Sequence, residues 1–174
     1  NKAYTSILSS SDAKDSGSYF SLKDLDLRIL PLNRSFAVFI YQNEPVLVDM
    51  KKLYFQGLLN AIKNAKFPLV SRPLLVPIKL EVDDSQAKRF ETHHSLLARS
   101  GIDVNFMTEH TLCVRSIPKI TPHLEVMPFL RDLLTHKQDE PGALYSLLAR
   151  YSVLDDLTLT EETRLDLSSF FRAL

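Results

Sequence analysis

Residues 46–60 constrain this chain more than any other stretch. A short β-branched run, Val46-Leu47-Val48, ends in a single aspartate, Asp49. Beyond it Met50, Leu53, Tyr54, Leu58 and Ala61 or Ile62 recur at helical spacing. A strand thus feeds an amphipathic helix, with an acid at the junction. A carboxylate at such a strand end is well placed to hold a metal if ligands project from the first turns of the helix. The helix instead offers Lys51, Lys52, Phe55, Gln56 and Asn60, and the next His, Cys, Asp or Glu is Glu81. A divalent cation needs several oxygen, nitrogen or thiolate donors, and two lysines beside a lone carboxylate repel it. Asp49 therefore reads as a helix N-cap, a position that favours Asp.

Around this junction the elements follow in order. Residues 1–18, rich in Ser, Asp and Lys apart from a short local element at residues 3–8, read as a linker tail. Leu25, Leu27, Ile29 and Pro31 or Leu32 alternate with Asp26, Arg28 and Leu30, the pattern of a half-buried strand. Residues 36–41 are more continuously apolar and suit a sheet interior. The turns Asn33-Arg34-Ser35 and Gln42-Asn43-Glu44-Pro45 make these strands a three-stranded meander feeding the helix of residues 49–65. Phe67-Pro68 and Arg72-Pro73 then force extended backbone. A strand over residues 74–82 contains Pro77, which cannot donate to a ladder, so it is an edge strand or is bulged.

Asp83 and Gln86 are spaced as a capping box for a helix that stops at Gly101. Its apolar stripe is read as Ala87, Phe90, His94 and Leu97, with His93 in solvent. Residues 102–107 and 112–117 are strands about the turn Thr108-Glu109-His110. An amphipathic helix spans residues 123–137 and a shorter one residues 143–151. Thr158 and Glu161 form a second capping box, opening a final helix with Leu165, Leu167 or Ser168, Phe171 and Leu174 on its apolar side.

At 174 residues with 45% hydrophobic content, the chain can bury roughly 70% of its unfolded surface, enough for one domain or two small lobes on a shared core. No apolar run reaches the ~20 residues of a membrane span and the polar start is no signal peptide, so a protein without membrane contact is expected. The lone Cys113 excludes an intramolecular disulfide, fits a reducing compartment and reads as a buried structural thiol. Net charge is zero but uneven. Residues 51–80 hold six bases and no acid, whereas residues 138–174 hold seven acids against three bases. Lys51, Lys52, Lys63 and Lys66 form a basic patch open to nucleic acid or an acidic protein surface, or simply a solvated helix face.

The residues around Asp49 resemble the MutL C-terminal dimerisation-domain family of DNA mismatch repair, over residues 27–154. Many of its members carry Asp-Gln-His-Ala-x-x-Glu-x-x-x-x-Glu here, which binds metal and nicks DNA. In this chain Asp49 keeps the first Asp. Met50, Lys51 and Lys52 replace Gln, His and Ala, while Phe55 and Asn60 replace the two Glu. The resemblance thus implies the nuclease-deficient type, which depends on a separate nicking enzyme. Residues 80–82, 100–103 and 110–118 resemble the family's external subdomain. Arg72-Pro73-Leu74-Leu75-Val76-Pro77 is similar to its sliding-clamp motif, Gln-x-x-Leu-or-Ile-x-Pro, with Leu75 and Pro77 in the apolar and proline positions and Arg72 in place of Gln. Nothing here matches the Cys-Pro-His-Gly-Arg-Pro motif of nuclease-type relatives, and the family domain is expected to continue past Leu174 with a further strand and helix.

These readings converge on an α+β, two-lobed fold: small mixed or antiparallel sheets packed with helices, the external lobe inserted into a dimerisation lobe. The expected division is a linker remnant at residues 1–20, a dimerisation subdomain at 21–71 plus 151–174, and an external subdomain at 72–150. The implied role is non-enzymatic homodimerisation, coupling the ATPase halves and recruiting the sliding clamp, MutS, a strand-nicking endonuclease and a helicase in a bacterial cytoplasm. ATP and Mg are expected only in an upstream ATPase part, no cofactor or metal in this stretch, and DNA contact is a further option. Phe36, Val38, Phe39, Ile40 and the last helix are the candidate dimer contacts. Nucleophile elbows, phosphate loops, Cys pairs and His-Glu-x-x-His are missing, and Asp83-Asp84 and Asp155-Asp156 read as caps. Two other classes stay open: a metal-dependent DNA-nicking endonuclease joining Asp49 to His94, His110, His123 or Glu109, and a small-molecule-sensing α+β module.

Overall fold

The computed structural model describes residues 27–135, 141–153 and 159–173. Three strands, β1 (Leu27–Pro31), β2 (Phe36–Tyr41) and β3 (Glu44–Asp49), form an antiparallel meander with β2 in the centre. The Asn33 side chain holds the first turn by accepting the N–H groups of Ser35 and Phe36, each at 2.8 Å. Gln42 and Asn43 both take positive φ, 51° and 66°, and Tyr41 pairs with Glu44. This is the two-residue hairpin whose backbone twist matches its strands.

Helix α1 (Met50–Asn64) starts where the sequence places it: Asp49 accepts the Lys52 N–H at 3.0 Å. Its buried side, Met50, Leu53, Tyr54, Leu58, Leu59 and Ile62, belongs to the core above the sheet's inner face, where Ile29, Ala37, Phe39 and Val48 point. Helix α5 (Glu161–Arg172) lies beside it. Phe171 meets Phe39 at 5.0 Å between ring centroids, and Phe170 meets Tyr54 at 5.5 Å. Gly57 permits this approach, since a β-carbon there would sit 2.1 Å from Phe170 Cγ.

The second sheet comprises β4 (Ser71–Glu81), β5 (Asp103–Thr108) and β6 (Thr111–Pro118) in the antiparallel order β4-β6-β5. As its prolines require, β4 is an edge strand, and its register shifts between Pro73 and Ile78. Helix α2 (Asp84–Arg99) opens on a complete Asp83/Gln86 capping box and ends before Gly101, whose φ of +79° is the left-handed conformation glycine tolerates. Helices α3 (Val126–Thr135) and α4 (Pro141–Arg150) complete the packing, with α4 against both α1 and α3. One connected cluster of buried apolar side chains runs through both sheets and all five helices. The expected α+β class and small antiparallel sheets are thus observed.

Several local readings change. On α2 the buried residues are Phe90, His93 and Leu97, while His94 is exposed, its ring edge on Phe90 and its Nε2 3.4 Å from Asn105 Oδ1. The predicted stripe keeps Ala87, Phe90 and Leu97 on the core side, and His93 takes the buried place expected for His94. Thr160, not Thr158, caps α5 by accepting the Thr163 N–H at 3.2 Å, and Leu165 on that helix is exposed. Thr158 itself, Leu25, Leu174 and the linker reading of residues 1–20 fall outside the described residues. Helix α3 starts at Val126, three residues later than predicted. Cys113 is buried, as expected.

Candidate functional site

Strand parity gives the first sheet two different faces. Ile29, Ala37, Phe39 and Val48 point to the helices, so Phe39, fully buried, is withdrawn from the candidate dimer contacts. The outer face carries Leu30, Val38 and Leu47 side by side in one row across the three strands. Phe36 and Ile40 lie along the central strand on either side. Leu47 is 65% exposed, Leu30 50% and Phe36 40%. No described helix or strand roofs this face. The last helix spends its apolar residues on the other side, with Leu167 buried and Phe170 and Phe171 packed on the core.

The Asp49 site lies at one edge of the same sheet. Asp49 is half-buried and already engaged as the N-cap. Lys51 is half-buried beside it, Phe55 packs against the core, and Asn60 is exposed about 16 Å further along the helix at 1.5 Å per residue. An open apolar groove of about 310 Å³ borders the site, formed by Val46, Leu47, Leu53 and Phe171 with Lys52 and Gln56 at its margin. Among the described residues no three His, Cys, Asp or Glu side chains come together as a metal site. His110 faces Asp84 at 3.7 Å, His94 faces Asn105, and His123 acts electrostatically on Asp166.

The basic patch divides. Lys51 and Lys52 stand at the N-terminus of α1, which has no acid in its first turn, and Lys63 and Lys66 at its other end roughly 17 Å away. Lys63 suits the negative end of the helix dipole, whereas Lys51 and Lys52 add positive charge to an already positive end. In the clamp-like segment Leu75, Val76 and Pro77 are exposed, Leu75 completely, at the point where β4 loses its ladder. The Arg72 guanidinium donates to the Pro122 carbonyl, which ties down the side chain standing where the motif has Gln.

Sequence reasoning missed a polar cluster under α5. The Tyr54 hydroxyl donates to Asp166 Oδ2 at 3.3 Å. Burial, reinforced by the Asp166 and Glu162 charges, pushes Tyr54 up to about 12. Burial also raises Asp166 above the usual carboxylate range, with Glu162 adding to the rise and Tyr54 and His123 opposing it. Tyr54 looks in sequence like one more apolar helix position, and its partner lies 112 residues away.

An α+β domain that leaves an apolar sheet face uncovered offers a surface suited to association with another molecule. The chain belongs to the MutL C-terminal dimerisation domain family, which matches residues 30–156. It is 28% identical over 114 residues to the DNA mismatch repair protein MutL of Janthinobacterium sp., covering 64% of this chain and 19% of that protein. The MutL of Chelativorans sp. is 28% identical over 143 residues, covering 77% and 23%, and that of Xanthomonas oryzae pv. oryzae 33% over 91 residues, covering 51% and 15%. The chain thus spans about a fifth of the length of the curated relatives it matches. No helix among the described residues is long and apolar enough to cross a membrane.

Proposed function

We propose that this chain is the homodimerisation and partner-binding domain of a MutL-like mismatch repair protein, acting by joining molecules and not by cutting DNA. The observation that carries this reading is the row Leu30, Val38 and Leu47. An apolar sheet face left in water is stabilised by a second copy laid across it, and a two-fold dimer needs only one self-complementary patch. Residues 21–71 with 151–174 would form the dimerising part, with 1–20 as linker and 72–150 as the external part, although α4 also packs on α1. Such a dimer would couple two ATPase halves, where ATP and Mg would act, and would recruit MutS, a nicking endonuclease and a helicase in a bacterial cytoplasm.

The loss of nuclease chemistry follows from side-chain identity. A lysine, a phenylalanine and an asparagine stand at 51, 55 and 60, where the nuclease motif has its His and two Glu, and Asp49 Oδ1 accepts the helix-capping N–H of Lys52. Light scattering should give about twice 19.8 kDa. Supercoiled DNA with Mn should stay intact. Nicking that disappears in Asp49→Asn would refute the non-catalytic reading.

Exposure supports the clamp contact. Leu75 and Pro77 are presented on a segment without ladder partners, as an extended peptide ligand must be. Leu75→Ala with Pro77→Ala should weaken a pull-down by the sliding clamp by about tenfold, while the melting temperature holds because Leu75 touches little. Undiminished capture would remove the segment from the interface. DNA contact by Lys51, Lys52, Lys63 and Lys66 is part of the same proposal, and its mark would be affinity that falls steeply with salt.

A further inference from the structure

A second cleft lies at the entry to β4, with Val70 on its rim two residues before Arg72. It is formed by the end of α1 (Ala65, Lys66), the connection into β4 (Leu69, Val70) and the turn after β6 (Lys119, Ile120), with a volume of about 440 Å³. The floor is almost wholly apolar, and Val70 on its rim is 71% exposed. The backbone fixes its walls: Leu69 N–H donates to Arg99 O at 3.0 Å, Lys119 N–H to Val70 O at 2.7 Å, and Thr121 N–H to Pro118 O at 3.2 Å. The cleft is therefore formed before anything enters it, and its size suits one or two large side chains.

Its charge is one-sided. Lys66 and Lys119 flank the floor, Lys63 stands one turn earlier on α1, and no carboxylate lines the cleft. From this pairing of apolar floor and ammonium rim we propose that the cleft is a docking site for a short acidic peptide. Such a peptide would bury a leucine or phenylalanine against Leu69, Val70 and Ile120 and set flanking carboxylates against Lys66 and Lys119. A nucleic acid would use the two ammonium groups but leave the aliphatic floor unfilled, and no aromatic ring lines the cleft for a base to stack on. The inference does not depend on the dimer or on the absence of nuclease activity, and it competes with the DNA reading of the basic patch at Lys63 and Lys66 only.

The test is an amide NMR titration of the labelled chain with acetyl-Asp-Glu-Leu-Phe-Asp-Glu-amide. Saturable shifts should centre on Leu69, Val70, Lys119 and Ile120. Lys66→Glu with Lys119→Glu should weaken binding at least about fivefold, and so should Val70→Ser, because charge and floor both contribute. All three side chains are exposed, so the variants should keep the parent melting temperature. Three results would each overturn the proposal: shifts centred elsewhere, equal affinity for the peptide with lysines in place of its acids, or equal affinity for the peptide with alanines in place of Leu-Phe. Duplex DNA that displaced the peptide and bound these residues more tightly would assign the cleft to nucleic acid instead.

Discussion

The two sheets are built alike and finished differently. Each has three antiparallel strands, and each turns an apolar inner face toward the shared core. On the second sheet the outer rows are Lys79-Cys113-Asn105 and Glu81-Thr111-Thr108. The Thr108 hydroxyl donates to Thr111 at 2.7 Å, and Thr111 in turn reaches Glu81 at 3.1 Å. Apart from the buried Cys113, the side chains of these rows are polar groups that water solvates. On the first sheet the equivalent row is Leu30-Val38-Leu47. Burying such side chains contributes about 25 cal/mol per Å². The difference locates the surface that gains by meeting another molecule on the first sheet.

The inner faces of the two sheets should behave as one core. Phe39→Ala removes the ring packed on Phe171 and should cost about 3–5 kcal/mol, read by urea denaturation. Because the buried cluster is continuous, near-ultraviolet and far-ultraviolet signals should still fall together. Two separated transitions would show that the buried cluster does not unfold as one unit.

The outer faces are separated by Leu47→Asp and Lys79→Asp. A carboxylate in the apolar row should weaken self-association by at least about 100-fold, close to 2.7 kcal/mol, and bring the scattering mass toward that of one chain. Leu47 is 65% exposed, so the fold should survive. Lys79→Asp on the polar face should leave the mass unchanged. Equal effects from both would break the distinction.

Much of this was legible in the chain because local chemistry decides it. Asp49, the Asp83/Gln86 box, Gly101 and the Pro77 irregularity each act within a few residues of themselves, and the structure keeps them. What was not legible depends on distant contacts. His93 and His94 both lie near the edge of one helical stripe, and only the way α2 packs selects His93 for burial. The continuously apolar Phe36–Tyr41 correctly marked a central strand. Its pattern could not say that half of that apolarity faces away from the core, so Phe39 stood among the surface candidates when it is a core residue. The clefts are products of elements far apart in sequence and left no local sign.

A smaller effect concerns the roofing of the second sheet. Asp83→Ala removes the side-chain half of the α2 capping box, the carboxylate that accepts the Gln86 N–H, and should cost about 1 kcal/mol in thermal or urea unfolding. Asp83→Asn should restore most of it, since the amide oxygen can still accept the Gln86 N–H. Failure of that rescue would move the contribution from the hydrogen bond to the charge.

The smallest effect tests the roof of the first sheet through Asp166. Its carboxyl is raised chiefly by burial, so the folded state holds the proton at pH values where the unfolded chain has released it. Stability from this group is therefore fullest at low pH and declines as pH rises through the folded value. Asp166→Asn removes the charge and still offers an oxygen to the Tyr54 hydroxyl. Near pH 7.5 the variant should be more stable than the parent by roughly a few tenths of a kcal/mol, small because the half-buried carboxyl is screened by water. The gap should close as pH falls below the usual carboxylate range. A variant that is less stable at pH 7.5, with no narrowing at low pH, would mean that the charged hydrogen bond from Tyr54 outweighs the cost of burial, and that α5 is held to α1 by that bond as well as by the rings of Phe170 and Phe171.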